Sequence, residues 1–122
     1  MPQIPLLDTN ILIGLVNGTE SSPEELSISE AAASVMSVME LYALAGIAQE
    51  ESRRIEAFLQ GLTLYPVSES IARRAGILAR TRRRGIVDYV IAATALEFNL
   101  PLMTHNVKDF RNIPGLKLMK LD

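Results

Sequence analysis

The chain has 122 residues, of which 48% are hydrophobic, and this size and composition predict one compact domain over residues 1–122. It contains no cysteine, which excludes disulfides and thiolate metal sites and leaves carboxylates and the single histidine, His105, as metal ligands. Because no run of eighteen apolar residues and no secretory leader is present, we expect a soluble, cytoplasmic protein. The net charge of −2 argues against binding nucleic acid by overall attraction.

The N-terminal segment is predicted to contain a strand, a helix and a second strand. The apolar run at residues 4–7 indicates a short buried strand that leads into a helix starting near Ile11, with Asp8 at the end of the strand. Residues 18–29 are polar and include a proline, which is typical of a loop. A second strand is predicted at residues 31–35.

The next segment is predicted to contain two helices and a third strand. Ser37 is a plausible N-cap for a helix that runs to residue 48, because Glu40 stands three residues later and completes a capping-box pattern. A further helix is expected at residues 51–59. Residues 63–67 form the predicted third strand, despite a proline.

The C-terminal half is predicted to alternate helices and strands. Ser68 can cap a long helix that runs to Arg84, and Gly85 stops it. Asp88 opens another helix, which closes at Asn99. Strands are then expected at residues 101–104 and 117–121. Strands that alternate with helices pair in parallel through right-handed crossovers, so the predicted fold is a three-layer α/β/α sandwich around a mostly parallel sheet of four to five strands.

Two acidic residues in the N-terminal half are candidates for a functional site. Asp8 follows a strand, and ligands of parallel sheets collect beyond the C-terminal strand ends; the alternative is that Asp8 only caps the following helix. Glu40 shares a helical stripe with the apolar residues Met36, Leu44 and Ile47, where a carboxylate needs a cation or a hydrogen-bond partner. The alternative for Glu40 is the capping box with Ser37.

Two further acids, Asp88 and Asp109, occupy similar positions. Asp88 lies at a helix start, where a carboxylate is favourable without any ligand, and Asp109 follows the strand at residues 101–104. At one edge of a parallel sheet these carboxylates would repel one another, so the cluster must hold extra protons or bind a cation. An all-oxygen site suits Mg²⁺ or Mn²⁺.

Four motifs, LLDTN at residues 6–10, VMEL at 38–41, DYVIAATAL at 88–96 and THNVKDF at 104–110, occur in this order. In their joint order and spacing the chain resembles the PIN-domain family, and specifically its VapC-type toxin ribonucleases. The resemblance implies a metal-dependent endoribonuclease whose acidic quartet is Asp8, Glu40, Asp88 and Asp109, supported by Thr9 and Asn106. It also implies a small VapB-like antitoxin as partner and a homodimer.

The expected mechanism follows from the resemblance and from metal chemistry. Asp8, Asp88 and Asp109 would hold Mg²⁺ or Mn²⁺, while Glu40 would orient or deprotonate the attacking water. A basic cluster could contact RNA phosphates, although a solvated helix end explains it equally well; its members are Arg80, Arg82, Arg83 and Arg84. The rival to an enzyme is a catalytically silent PIN-like module that binds RNA or protein.

Overall fold

The computed structural model describes residues 4–18, 30–44, 49–82 and 85–119. Its centre is a five-stranded parallel sheet in the order β3-β2-β1-β4-β5. The strands are β1 (Leu6–Leu7), β2 (Ala32–Ser34), β3 (Thr63–Tyr65), β4 (Leu102–Met103) and β5 (Leu118–Met119). Because all five strands are parallel, their C-terminal ends lie at one edge of the sheet, which is where the predicted site residues follow β1 and β4.

Helices connect the strands and cover both faces of the sheet. They are α1 (Thr9–Asn17), α2 (Val35–Leu44), α3 (Gln49–Leu59), α4 (Glu69–Ala79), α5 (Ile86–Phe98) and α6 (Val107–Phe110). Within the described ranges, none of these helices is long and apolar enough to cross a membrane.

The core consists of two apolar clusters on opposite faces of the sheet. Consecutive residues of a strand point to opposite faces, so Leu6 packs into one cluster and Leu7 into the other. The Leu6 cluster includes residues of α4 and α5, such as Ile71 and Ile91. The Leu7 cluster includes residues of α1, α2 and α3, such as Ile55. The predicted three-layer α/β/α sandwich is confirmed.

Helix starts were predicted less well than strands. Ser37 is not an N-cap, because α2 begins two residues earlier at Val35; the hydroxyl of Ser34 instead accepts a hydrogen bond from the Met36 backbone at 3.0 Å. The capping box between Ser37 and Glu40 is therefore wrong. Helix α1 begins at Thr9 rather than near Ile11, directly after its N-cap, Asp8.

Helix α4 has the predicted cap but a different end. The Ser68 hydroxyl accepts a hydrogen bond from the Ile71 backbone at 3.1 Å, as predicted. The helix ends at Ala79 rather than at Arg84. Gly85 is the N-cap of α5, so this helix starts at Ile86 and not, as predicted, at Asp88. Asn99 closes α5 in a left-handed conformation, as predicted. The predicted loop beyond Gly18, the end of the helix predicted to reach residue 48, and residues 83, 84 and 120–122 lie outside the described residues.

Candidate active site

Asp8 is the centre of the candidate site and is a buried carboxylate, only 4% exposed. It follows β1 and caps α1, where its Oδ1 accepts a hydrogen bond from the Thr9 backbone at 2.8 Å. Its Oδ2 accepts a hydrogen bond from the Thr104 hydroxyl at 2.7 Å. Asp8 therefore caps the helix, which was the alternative left open by the sequence, and is also fixed from the neighbouring strand β4.

The electrostatic setting of Asp8 opposes its ionisation. Burial raises the pKa of Asp8 above 3.8, and the nearby negative charges of Glu40 and Asp109 raise this pKa further. The hydrogen bonds from Thr104 and Thr9 lower the pKa but do not cancel the effect of burial. A carboxylate in this position gains free energy when a cation approaches it, because the cation offsets both the lost hydration and the repulsion.

Glu40 reaches this site from α2, which follows β2. Its side chain is half-buried, and its charge acts on Asp8. Of the apolar stripe that was predicted around it, Met36 is half-buried and Leu44 is 71% exposed, while Ile47 lies outside the described residues. The charge of Glu40 therefore acts on Asp8, although the described apolar residues beside Glu40 are not fully buried.

Asp109 approaches from the other side, on the short helix α6 after β4. Its side chain is half-buried and its charge also acts on Asp8. The turn that carries it is tied to the site, because the Asn106 backbone donates a hydrogen bond to the Thr104 hydroxyl at 2.9 Å and Asp109 donates its backbone N–H to the Asn106 carbonyl at 3.0 Å. The Asn106 side chain itself is exposed and makes no capping hydrogen bond.

Asp88 lies in the first turn of α5 and is half-buried. Its backbone N–H donates to the carbonyl of the N-cap, Gly85, at 3.1 Å. Helix α5 leads into the start of β4, so it runs against the strand direction, and its first turn lies toward the edge where the strands end. The course of α5 therefore places Asp88 toward the same edge of the sheet, but the acids whose charges act on Asp8 are Glu40 and Asp109.

Thr104 is a site residue that sequence reasoning missed. It is fully buried, and its hydroxyl donates to Asp8 and accepts from the Asn106 backbone. The available signal was its place at the end of the predicted strand at residues 101–104, but only the pairing of β4 with β1 puts it beside Asp8. A buried hydroxyl needs partners, and here both come from the site.

Of the four arginines in the predicted basic cluster, the structure describes two, and these two have different surroundings. Arg82 donates hydrogen bonds to the Leu78 carbonyl at 3.1 Å and to the Asn112 carbonyl at 3.4 Å, so it joins the end of α4 to the segment after α6. Arg80 is exposed and borders an open depression with Arg73, Gly76 and Ile77. Arg83 and Arg84 lie outside the described residues.

The donor chemistry at the Asp8 edge suits a hard cation, because the groups assembled there are carboxylates and hydroxyls. Among residues 4–18, 30–44, 49–82 and 85–119, however, no three acidic or histidine side chains are close enough to enclose a metal ion. Mg²⁺ is commonly held by only one or two carboxylates, with water and substrate phosphate as the remaining ligands. The residues present therefore fit a metal that is held mainly by Asp8 and completed by water and substrate.

Comparison with known proteins connects this geometry to a family. The family model described as the PIN domain matches residues 6–116. Ribonuclease VapC19 of Mycobacterium tuberculosis is 38% identical over 122 residues, which cover 92% of this chain and 96% of that protein.

Solved structures share the fold over nearly the whole chain. The crystal structure of VapBC2 from Rickettsia felis, bound to a DNA fragment from its promoter, has a TM-score of 0.80 and 25% identity and covers 98% of this chain and 100% of that one. The DNA-bound VapBC of Salmonella typhimurium has a TM-score of 0.79 and 27% identity, with 98% of each chain covered.

Proposed function

We propose that this chain, which belongs to the PIN-domain family, is an endoribonuclease that depends on Mg²⁺ or Mn²⁺ and is the toxin of a VapBC-type toxin–antitoxin pair. Its similarity to a protein named ribonuclease VapC19 supports the class of reaction, hydrolysis of RNA. The structural likeness to VapBC assemblies supports the toxin role.

The observation that carries the proposal is the state of Asp8. A carboxylate that is almost fully buried at the end of β1, with the negative charges of Glu40 and Asp109 acting on it, costs free energy when it is ionised. Apart from the cap that Asp8 provides for α1, placing these acids close together lowers stability, whereas a hard cation is bound more tightly by them. When bound, Mg²⁺ or Mn²⁺ would neutralise charge on the scissile phosphate and activate a water molecule.

The side chains of the edge would then have distinct tasks. Asp8, with Asp88 and Asp109 directly or through water, would hold the cation, and the Thr104 hydroxyl would keep the Asp8 carboxylate in one orientation. Glu40 would orient the attacking water or take its proton, because its half-buried carboxylate reaches the site from a separate helix. In this reaction water would attack the scissile phosphorus and the bond to the 3′ oxygen would break, which leaves a 5′-phosphate and a 3′-hydroxyl.

A small VapB-like antitoxin is the proposed partner of this toxin. The outer side of α2 supports a protein partner, because Val35, Met39 and Tyr42 lie one helical turn apart and are all exposed, and Met39 is 52% exposed. The same helix carries Glu40. A partner that covers this side of α2 would lie beside the catalytic edge and could limit access of RNA to it.

A second copy of the chain is the proposed partner at α4 and α5. An almost purely apolar groove of about 230 Å³ runs between these helices, and Ile86, which lines it, is 72% exposed. Ile77, which is 57% exposed, lines the neighbouring depression beside Arg80. Gly76 lies in the middle of α4, where an added Cβ would meet nothing within 4 Å, so packing inside the chain does not explain a residue that costs helix stability.

The proposed activity is tested by cleavage of end-labelled transfer RNA and ribosomal RNA with the purified chain, freed of any antitoxin, in Mg²⁺ or Mn²⁺. Discrete fragments with 5′-phosphate and 3′-hydroxyl ends are expected, and they should be absent with EDTA and with Asp8→Asn. A 2′,3′-cyclic phosphate would mean attack by the RNA hydroxyl and would contradict the proposed water chemistry. Absence of fragments from a folded protein would instead favour a catalytically silent binding module.

A further inference from the structure

A pair of buried hydroxyl groups joins the helix that follows Asp8 to the helix that carries Glu40. The Oγ1 atom of Thr9 lies 2.8 Å from the Oγ atom of Ser37, and the two residues are 28 positions apart in sequence. Ser37 is fully buried and Thr9 nearly so. This is a direct polar contact between α1 and α2 at the level of the candidate site.

Neither hydroxyl is needed to cap a helix. The start of α1 is capped by Asp8, and the first turn of α2 is served by Ser34. A serine inside a helix commonly turns its hydroxyl back to its own backbone, but the Ser37 hydroxyl faces a residue of another helix. The contact between the two helices is therefore specified by side chains and not by the needs of either helix end.

The pair extends a continuous set of hydrogen bonds through the candidate site. Thr104 donates its hydroxyl to Asp8, Thr9 donates its backbone N–H to Asp8, and the Thr9 side chain meets Ser37. These contacts link β4, the β1–α1 junction and α2. Asp109 follows β4, Asp8 lies at the junction, and Glu40 is part of α2. Because each hydrogen bond has a preferred length and angle, the set fixes distances that apolar packing alone would leave adjustable.

We propose that the Thr9–Ser37 pair is a positioning link that sets Glu40 relative to Asp8, an inference that rests on the proposed nuclease function. Leu12 and Leu41 also belong to the core on this face of the sheet, but apolar contacts are not directional and allow α2 to shift along α1. Ser37 is one helical turn before Glu40, and Thr9 follows Asp8 directly, so a shift at the pair changes the separation of the two carboxylates.

The experiment compares Thr9→Val, Ser37→Ala and the double variant Thr9→Val/Ser37→Ala with the wild-type chain. Each single variant leaves one buried hydroxyl without its partner, so both should melt at lower temperatures than wild type. The double variant removes both groups and should recover most of the lost melting temperature. The double variant therefore still tests the proposed link if either single variant fails to fold.

We expect the double variant to be stable but to cut RNA more slowly than wild type. Its kcat for RNA cleavage should remain about tenfold below wild type with KM unchanged. Its dissociation constant for Mn²⁺, measured by titration calorimetry, should rise severalfold, because the negative charge of Glu40 acts on the Asp8 carboxylate that would hold the cation. Thr9→Ser keeps the hydroxyl and should recover most of the kcat that Thr9→Val loses. Ser70→Ala, which removes a surface serine hydroxyl that donates to Glu97, is the matched control and should leave kcat unchanged.

A double variant with wild-type kcat and wild-type affinity for Mn²⁺ would overturn the link and show that the pair only serves stability. Failure of the proposed function has a different signature, because the wild-type chain itself would then cut no RNA. In that case the Mn²⁺ affinity still tests the link: an unchanged dissociation constant in the double variant overturns it, and a raised one supports it.

Discussion

The edge of the sheet around Asp8 holds negative charge in a buried position, whereas the end of α4 carries positive charge that is exposed or bonded to backbone carbonyls. At the sheet edge, a buried carboxylate is held by hydrogen bonds from Thr9 and Thr104, and other acids raise its pKa. Just beyond the last residue of α4, Arg80 is exposed and Arg82 is bonded to backbone carbonyls. The acids around Asp8 lower stability and suit a catalytic site. The arginines near the end of α4 suit a surface that contacts another molecule.

The largest expected effect comes from Asp8→Asn, which removes the negative charge of this side chain but keeps its size and shape. RNA cleavage should fall by at least about 100-fold, because the cation loses its main ligand. The melting temperature of the metal-free protein at pH 7.5 should stay the same or rise, because an unfavourable buried charge is gone. Scanning calorimetry of both proteins in EDTA measures this. A marked fall in melting temperature would mean that the carboxylate of Asp8 is stabilising.

The next effect concerns the α4 and α5 surface. Ile77→Asp and Ile86→Asp place charges on exposed apolar positions and should weaken self-association at least about tenfold without unfolding the chain. Sedimentation equilibrium at several concentrations measures the dissociation constant. Asp substitution at Leu64, an exposed apolar residue on the edge strand β3, is the matched control. Equal association by all variants would remove this surface as the dimer interface.

A pH series sharpens the comparison further, because the pKa of Asp8 is raised above 3.8. The native state holds this proton more tightly than the unfolded chain, so the stabilisation by protonated Asp8 is present at low pH and is lost as pH rises through the raised pKa. Mg²⁺ favours the ionised form. At ten times its dissociation constant at pH 7.5, Mg²⁺ should add about 1.4 kcal/mol to the free energy of unfolding, and much less near pH 4.

The control for the pH series is Asp8→Asn, which should lose most of the Mg²⁺ effect at every pH. A solution of NaCl at equal ionic strength separates specific binding from screening of surface charge. An Mg²⁺ effect that is equal at both pH values in the wild-type chain would argue against Asp8 as the main ligand.

The smallest expected effect is a difference in stability between Arg82→Gln and Arg80→Gln. Arg82→Gln removes donors to the Leu78 and Asn112 carbonyls and should lower the free energy of unfolding by about 1 kcal/mol. Arg80→Gln, at an exposed position, should leave stability within error. Urea unfolding of both variants gives the comparison. If only Arg82→Gln also weakens RNA binding with a reduced salt dependence, then Arg82 contacts phosphate as well.

Local signals in the sequence were sufficient for most of the architecture. Apolar runs bounded by turn residues predicted the five strands, and the cap at Ser68 and the closing residue Asn99 were confirmed. The sequence was less reliable at helix starts. Ser37 has the capping-box pattern, but α2 begins directly after β2 at Val35, because a helix start depends on where the preceding strand leaves the sheet.

The sequence by itself determined the alternation of strands and helices, hence the parallel sheet, and it supplied acids at the strand and helix ends. Only the tertiary structure decided which of them act on one another, because the pairing of β1 with β4 brings residues 96 positions apart, Asp8 and Thr104, into hydrogen-bond contact. It also decided that Ser37 meets Thr9 and that Arg82 bonds to backbone carbonyls. The physical reason is range: propensity and capping act over a few residues, whereas burial and charge coupling depend on neighbours that only the complete fold brings together.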